Sequence, residues 1–552
     1  MYEKIQKICE YLRKENENSE NYISKEIKEK YFIYKNWLIE NGAIFDKNID
    51  FPITYGPFHK IGIKSKLNLN ENEAFILIPR SIIIFSEDLH YLDQYLKNII
   101  DDISEEEIST LYLTLNLYLE KQNPDSFYKP YIDILFLNEN NNYEWNDKTL
   151  FELNDEIAAN SFENMVNNIE ELYNLIKQCE KFSQISKKEF KNCYFQVISK
   201  KIDLNDYNNS SALIPLTDLL YQDNSMKVKY EIYDSENMVF KYTSIINDYK
   251  DAKINLYMTT SKYLPIKKPT YNKLIPFMDE EQKSENSDDS NSEDNKVIIK
   301  INNNDYFSLA LSKNEKILKN NIICANHPLL SNKKILKNKG FCLLYNRNDY
   351  MNIKFNFNRG ELLIDKYLEK IFGAGYQTRN DDPIYNTIKI KIEFDNICTD
   401  LLKYYRFMHF YEEKNAKEFF KYHFNLDLEI KIITLAIDFL KNKLKIMEIN
   451  FSFDKDFKEL ENEIFNKKDD NYFKTNIIIF RLSQKIILKN QIDLLNYIFK
   501  IMTKYKKYIS GYNSIFDFIE KEKYVNEYDK EEYTRMKILR FIAYMSKNID
   551  LV

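Results

Sequence analysis

Residues 212–225 read ALIPLTDLLYQDNS. Six of the first nine are aliphatic, a proline interrupts them, and a single carboxylate, Asp218, sits in their midst. Polarity then returns abruptly at Tyr221-Gln222-Asp223-Asn224-Ser225. Burying a carboxylate in an apolar run costs free energy unless a partner offsets it. Two readings fit: an ordinary strand ending in a capped turn, or a turn shaped to hold something small and polar. The choice between them decides how the β-rich region around this stretch is read.

The whole chain bounds that choice. With 552 residues, 44% of them hydrophobic, it can bury a sizeable core, and its length corresponds to about two to four domains. Lysine plus arginine number 79 against 85 acidic residues, closely mixed, for a net charge of −6. No basic face or stripe suggests direct nucleic-acid binding. No run of about 18 apolar residues exists to span a membrane. The opening MYEKIQKICEYLRKENENSE lacks the apolar segment of a secretory signal. Six cysteines without a CxxC pair read as reduced thiols of an intracellular protein, cytoplasmic or nuclear.

Eight glycines cannot assemble a phosphate-cradling loop or a dinucleotide fingerprint, which argues against P-loop enzymes, kinases and dinucleotide-binding folds. The five histidines show neither HExxH spacing nor companion cysteine pairs, so no metal is expected. No serine elbow of the hydrolase type is present either.

Periodicity gives a coarse order of elements. Residues 1–41 read as one or two amphipathic helices stopped by Gly42. From 51 to 85, FHKIGIKSK and AFILIPRSIIIF carry the β-branched and aromatic character of strands. Ser104 followed by acidic residues predicts a capped helix over 104–121, and 156–187 and EFKNCYFQVISKKI are also helical. Region 226–305 is less regular, and its acidic segment 279–296 (DEEQKSENSDDSNSEDNK) is predicted to be a disordered insertion. Strand character returns at KVIIKI and YFSLAL. Beyond about residue 357 the spacing of 361–372, 397–413, 427–447, 474–503 and 529–548 is helical throughout. The expected class is α+β with a helical C-terminal third.

Several phrases, in the right order, resemble one family. They are WLIENG (37–42) with KIGIKSKLNLNENEAFILIPR (60–80), NPDSFYKPYIDILF (123–136), FKNCYFQVISKKI (190–202) with the opening stretch, and IICANHPLLSNKKILKNKGF (322–341). In the helical third, LLKYYRFMHF (401–410) and FRLSQKIIL (480–488) belong to the same pattern. Together they resemble SET-domain proteins of the Rubisco large-subunit methyltransferase type, a group that includes the actin-histidine methyltransferase-like branch. The resemblance implies N-terminal helices (1–45) and a β-rich SET domain (46–345) with a helical insertion at about 100–200. An all-α substrate-binding-type domain (346–552) would follow. It also implies S-adenosylmethionine as cofactor, a protein substrate or binding partner, and methyl transfer to lysine or histidine.

Carried over residue by residue, the resemblance assigns Gly62, Ser199, Asp218, Tyr221 and Gln222 to the cofactor wall, and Ala325 to the position of the catalytic tyrosine. The departures are chemical. Lys60 stands for the first glycine of the cofactor loop, Lys200 for an arginine, Tyr221-Gln222 for an Asn-His pair, Ala325 for the tyrosine, and Lys339 for a second tyrosine. Two hydroxyls expected near the transferring methyl are missing. An alternative is therefore carried alongside: a catalytically inactive SET scaffold that binds proteins. Each residue also has a plainer reading. Asp218 could cap a strand end, Ser199 could bond a neighbouring carbonyl, Gly62 could serve a turn, His327 could be loop, and Tyr404, Tyr405, Phe407 and Phe410 could be core.

Overall fold

The computed structural model describes residues 8, 11–12, 23–45, 48–68, 74–97, 99, 103–137, 145–204, 210–222, 229–234, 239–242, 254–259, 306–311, 320–325, 330–344, 346, 348–358, 362–372, 376–377, 385–394, 396–412, 425–465 and 472–508. The acidic segment 279–296, His327 and the expected helix 529–548 lie outside them.

Helix α1 (Lys25–Glu40) starts where the Ser24 hydroxyl accepts the Ile27 N–H, and buries Tyr31, Tyr34, Trp37 and Leu38 on one face. Gly42, at φ +87, ends it as the sequence implied. Five short strands follow: β1 (Ile44–Phe45), β2 (Ile49–Tyr55), β3 (Lys60–Ser65), β4 (Ala74–Pro79) and β5 (Ile84–Phe85). A helical block comes next, comprising α2 (Asp93–Leu96), α3 (Glu105–Gln122), α4 (Lys129–Leu135), α5 (Asp147–Glu152), α6 (Glu156–Lys177) and α7 (Lys187–Lys200). Reciprocal capping boxes, Ser104 with Glu107 and Ser186 with Glu189, start α3 and α7. The helical reading of 156–187 is corrected: α6 stops at Lys177, and a 3₁₀ turn (Glu180–Phe182) resets the chain before Ser186.

The chain then returns to strands: β6 (Ile202–Leu204), β7 (Ser210–Leu213), β8 (Tyr221–Gln222), β9 (Lys229–Asp234), β10 (Val239–Tyr242), β11 (Ile254–Thr259), β12 (Tyr306–Leu311) and β13 (Cys324–Ala325). One six-stranded sheet runs β1-β4-β12-β11-β9-β10, so the region read as less regular contributes half of its strands. Smaller sheets are β5-β7-β6, β2-β3 and the parallel pair β13-β8.

The C-terminal part holds α8 (Asn332–Lys339), β14 (Tyr350–Asn358), α9 (Leu362–Phe372), β15 (Tyr376–Gln377), β16 (Tyr385–Glu393), α10 (Thr399–Glu412), α11 (Leu426–Met447), α12 (Phe453–Phe465) and α13 (Tyr472–Tyr508). The α+β class and the helical C-terminal region stand as expected. To the all-α reading of 346–552 the structure adds the sheet β14-β16-β15, in which β14 and β16 pair over nine residues. The Ile388, Ile390 and Ile392 side chains alternate inward along β16 and are buried.

One apolar core joins the β-rich part to the helices. A buried polar knot also joins them. The Asp349 carboxylate accepts from the Asn332 and Tyr350 backbone N–H groups at 2.9 and 3.0 Å and from Ser483 and Gln484 of α13. Further along α13, Arg481 and Lys485 both donate to the fully buried Asp456 carboxylate of α12. Arg481 also reaches the Glu152 carbonyl of α5 at 2.8 Å.

Candidate functional site

Three segments far apart in sequence meet at the opening stretch. The first is β3. It pairs with β2, Ile53 facing Gly62 and Tyr55 facing Lys60. Gly62 has ordinary φ and lies mid-strand, so the turn reading is corrected. A Cβ there would lie 2.6 Å from the Tyr55 ring and 3.4 Å from the Leu219 carbonyl. The glycine thus leaves room for a diagonal aromatic neighbour and for the 217–219 turn.

The second segment is the opening stretch itself. Among its described residues, β7 (Ser210–Leu213) runs into it, a 3₁₀ turn (Thr217–Leu219) follows, then β8. Leu216 adopts left-handed backbone at φ +71, ψ −24, a conformation that costs a non-glycine residue about 1–3 kcal/mol. Two hydrogen bonds hold it. Leu216 N–H donates to the Tyr34 phenol of α1 at 3.0 Å, and the Thr217 hydroxyl donates to the Ile214 carbonyl at 2.7 Å.

The third segment, 320–325, runs between the other two. On one side it bonds β3: Asn320 N–H to the Ser65 carbonyl at 2.7 Å, Ser65 N–H to Asn321 at 3.2 Å, and Ile323 N–H to Ile63 at 2.8 Å. On the other side β13 lies parallel to β8, Cys324 beside Tyr221 and Ala325 beside Gln222. Segment 320–325 is therefore threaded between two strands separated from it by long stretches of chain. Of the expected site residues, Gly62, Asp218, Tyr221, Gln222 and Ala325 all lie on these three segments.

Ser199 stands apart. It sits in the last turn of α7, and its hydroxyl donates to the Gln196 carbonyl of its own helix at 3.0 Å. Its neighbour reaches further: the Lys200 ammonium donates to the Leu135 carbonyl at 3.1 Å.

The electrostatics where the segments meet are set by burial. Burial pushes the Asp218 carboxyl up, and the Lys200 ammonium pulls it part of the way back. One Asp218 oxygen is buried with no hydrogen-bond partner, as is the Tyr131 hydroxyl. Around it the phenols of Tyr31, Tyr34 and Tyr131 are driven well above their ordinary range, by burial first and by the Asp218 charge second. Lys60 lies with its amine 3.4 Å above the Tyr472 ring at the start of α13. Burial, with the Lys200 charge adding, lowers it to about 7. Lys339 is lowered to about 8, again chiefly by burial. Lys60, Lys200 and Lys339, three of the departures from the resembled motifs, are thus half-buried lysines, with the Lys200 charge felt by both of the others.

Sequence reasoning missed two phenols here. Tyr55 was legible only through the register that places it diagonal to Gly62. Tyr34 carried no signal beyond its place on the buried face of a helix. Among the described residues, no group of three His, Cys, Asp or Glu side chains could hold a metal ion. No helix there is long and apolar enough to cross a membrane.

No family model matches the chain. The yeast (Saccharomyces cerevisiae) protein-lysine N-methyltransferase EFM1 is 23% identical over 201 residues, 36% of this chain. The matched segment spans about a third (32%) of that relative's length. Among solved structures, the SET domain of LSMT bound to lysine and AdoHcy superposes with a TM-score of 0.53 at 12% identity, covering 87% of this chain and 93% of that one. Rubisco LSMT bound to AdoMet gives 0.51 at 12% identity, covering 86% and 93%. At such identity the likeness speaks for the fold alone. In fold, this chain is similar to the SET domain of LSMT and to Rubisco LSMT over most of its length.

Proposed function

We propose that this chain binds S-adenosylmethionine against the wall formed by Gly62, Asp218, Tyr221 and Gln222, and methylates a protein on lysine or, in the branch noted above, histidine. The observation that supports this most is the threading of 320–325 between β3 and β8, which brings the 217–222 turn beside Ala325. A fit is visible in the chain's own groups. The unpartnered Asp218 oxygen is an acceptor suited to the ammonium of an amino-acid ligand, and Gly62 keeps side-chain bulk away from the Leu219 carbonyl. The group would supply a methyl on a sulfonium. The chain's task is to hold an unprotonated acceptor nitrogen in line with it and to exclude water. Burial, with the Lys200 charge adding, lowers the Lys60 amine beside this wall. An acceptor lysine entering the same environment would lose its proton for the same reasons.

A second reading rests on specific residues. Ala325 brings no hydroxyl to the place where the family puts its tyrosine, and Lys60 and Lys339 add positive charge that opposes a cationic donor. On that reading the scaffold binds a protein partner without transfer. The proposed division into helices 1–45, SET domain 46–345 and substrate-binding part 346–552 serves both readings.

The experiment is methyl-label transfer from S-adenosylmethionine into proteins of a lysate, with the full chain and with Asp218→Ala. Labelling of a distinct protein by the full chain alone supports the enzyme. No labelling, despite measurable binding of S-adenosylhomocysteine, supports the scaffold.

A further inference from the structure

We infer that Tyr34, on the N-terminal helix α1, is a positioning residue that holds the 214–220 turn in the conformation able to accept the methyl donor. The inference rests on the donor-binding reading above. Four observations converge. Leu216 is left-handed although it is not glycine, a conformation that persists only where its surroundings enforce it. Its N–H has the Tyr34 hydroxyl, 182 residues away in sequence, as partner. The phenol cannot swing away: Tyr34 is fully buried, with ring centroids 6.1 Å from Trp37 and 6.0 Å from Tyr131, both near parallel. Two residues beyond Leu216 stands Asp218, and three after that begins β8, so the direction of both is set by the turn.

Tyr34 touches no ligand in this scheme. It acts through Leu216 by lowering the population of turns that point Asp218 and β8 elsewhere. Loss of the hydroxyl would leave the stacked ring in place but free the Leu216 N–H. If the competent turn then became a minor population, apparent donor affinity would fall by that fraction.

The test uses the full chain, Tyr34→Phe, and Ile432→Val as a control that loosens the remote, fully buried α11 core. Amide hydrogen exchange is followed for peptides covering 212–222 and 426–447, and S-adenosylhomocysteine binding is measured by calorimetry. We expect Tyr34→Phe to speed exchange in 212–222 and weaken binding, each about tenfold, the factor that ~1.4 kcal/mol gives, with 426–447 unchanged. Ile432→Val should do the reverse, loosening 426–447 and leaving donor affinity alone. Unchanged exchange in 212–222, or unchanged affinity, overturns the inference. A wild-type chain that takes up no ligand overturns the donor-binding reading instead, and the exchange result still decides whether Tyr34 holds the turn.

Discussion

Replacing Lys60 by methionine should make the protein more stable and remove a pH dependence. The amine sits against the Tyr472 ring at 3.4 Å, and burial together with Lys200 holds it at about 7 instead of the usual 10.5. Between those values an unfolded chain keeps the proton and the folded chain does not, so stability must rise with pH across that window. Below pH 7 the folded chain carries the full penalty of the charge. At ~1.4 kcal/mol per pH unit the penalty approaches ~4–5 kcal/mol. Part of the side chain still meets water, and the ring face offsets ~0.5–2 kcal/mol, so we expect roughly 2 kcal/mol at pH 7. Methionine preserves the unbranched stem without the charge. Urea unfolding at several pH values from 6 to 10 should show Lys60→Met above wild type by about 2 kcal/mol at pH 7, with the gap closing toward pH 10. Lys200 and Lys339 are displaced in the same direction, so both proteins retain some slope; the difference between them is diagnostic. Parallel curves, or a variant less stable at pH 7, would refute the reasoning.

Asp456→Asn leaves the buried Arg481 and Lys485 facing a neutral amide and should cost about 3–5 kcal/mol in urea unfolding. Asp349, held up at about 6 by burial in spite of four donors, favours its neutral form when folded; its contribution should therefore fade as pH rises from about 4 through 6, and Asp349→Asn should flatten that part of the stability profile. Ser104→Ala removes a capping box and should lower stability by about 1 kcal/mol while leaving ligand binding unchanged.

Much of the fold was legible because local rules suffice for it. Ser104 and Ser186 announce their helices through hydroxyl and carboxylate at fixed spacing, and Gly42 marks a stop that its positive φ explains. The α10, α11 and α13 helices follow from apolar spacing alone. Other features needed the whole chain. Residues 385–393 alternate isoleucine with polar groups, a clear strand signal that the surrounding helical periodicity overrode. The β8 and β13 strands are two residues each, too short to show any period, and they pair with each other while the segment just before β13 bonds β3. Resemblance placed Gly62, Asp218, Tyr221, Gln222 and Ala325 on segments that do meet. It could not show that Ser199 turns to its own helix, that Tyr55 fills the space beside Gly62, or that Lys60 turns its amine onto a tyrosine of α13.

The most direct test of the donor cleft is photo-crosslinking of methyl-labelled S-adenosylmethionine to the full chain, followed by peptide mapping. The account predicts label on peptides containing 212–222 or 320–325, competed away by unlabelled S-adenosylhomocysteine. Label confined to other peptides, or label that competitor does not displace, would contradict it.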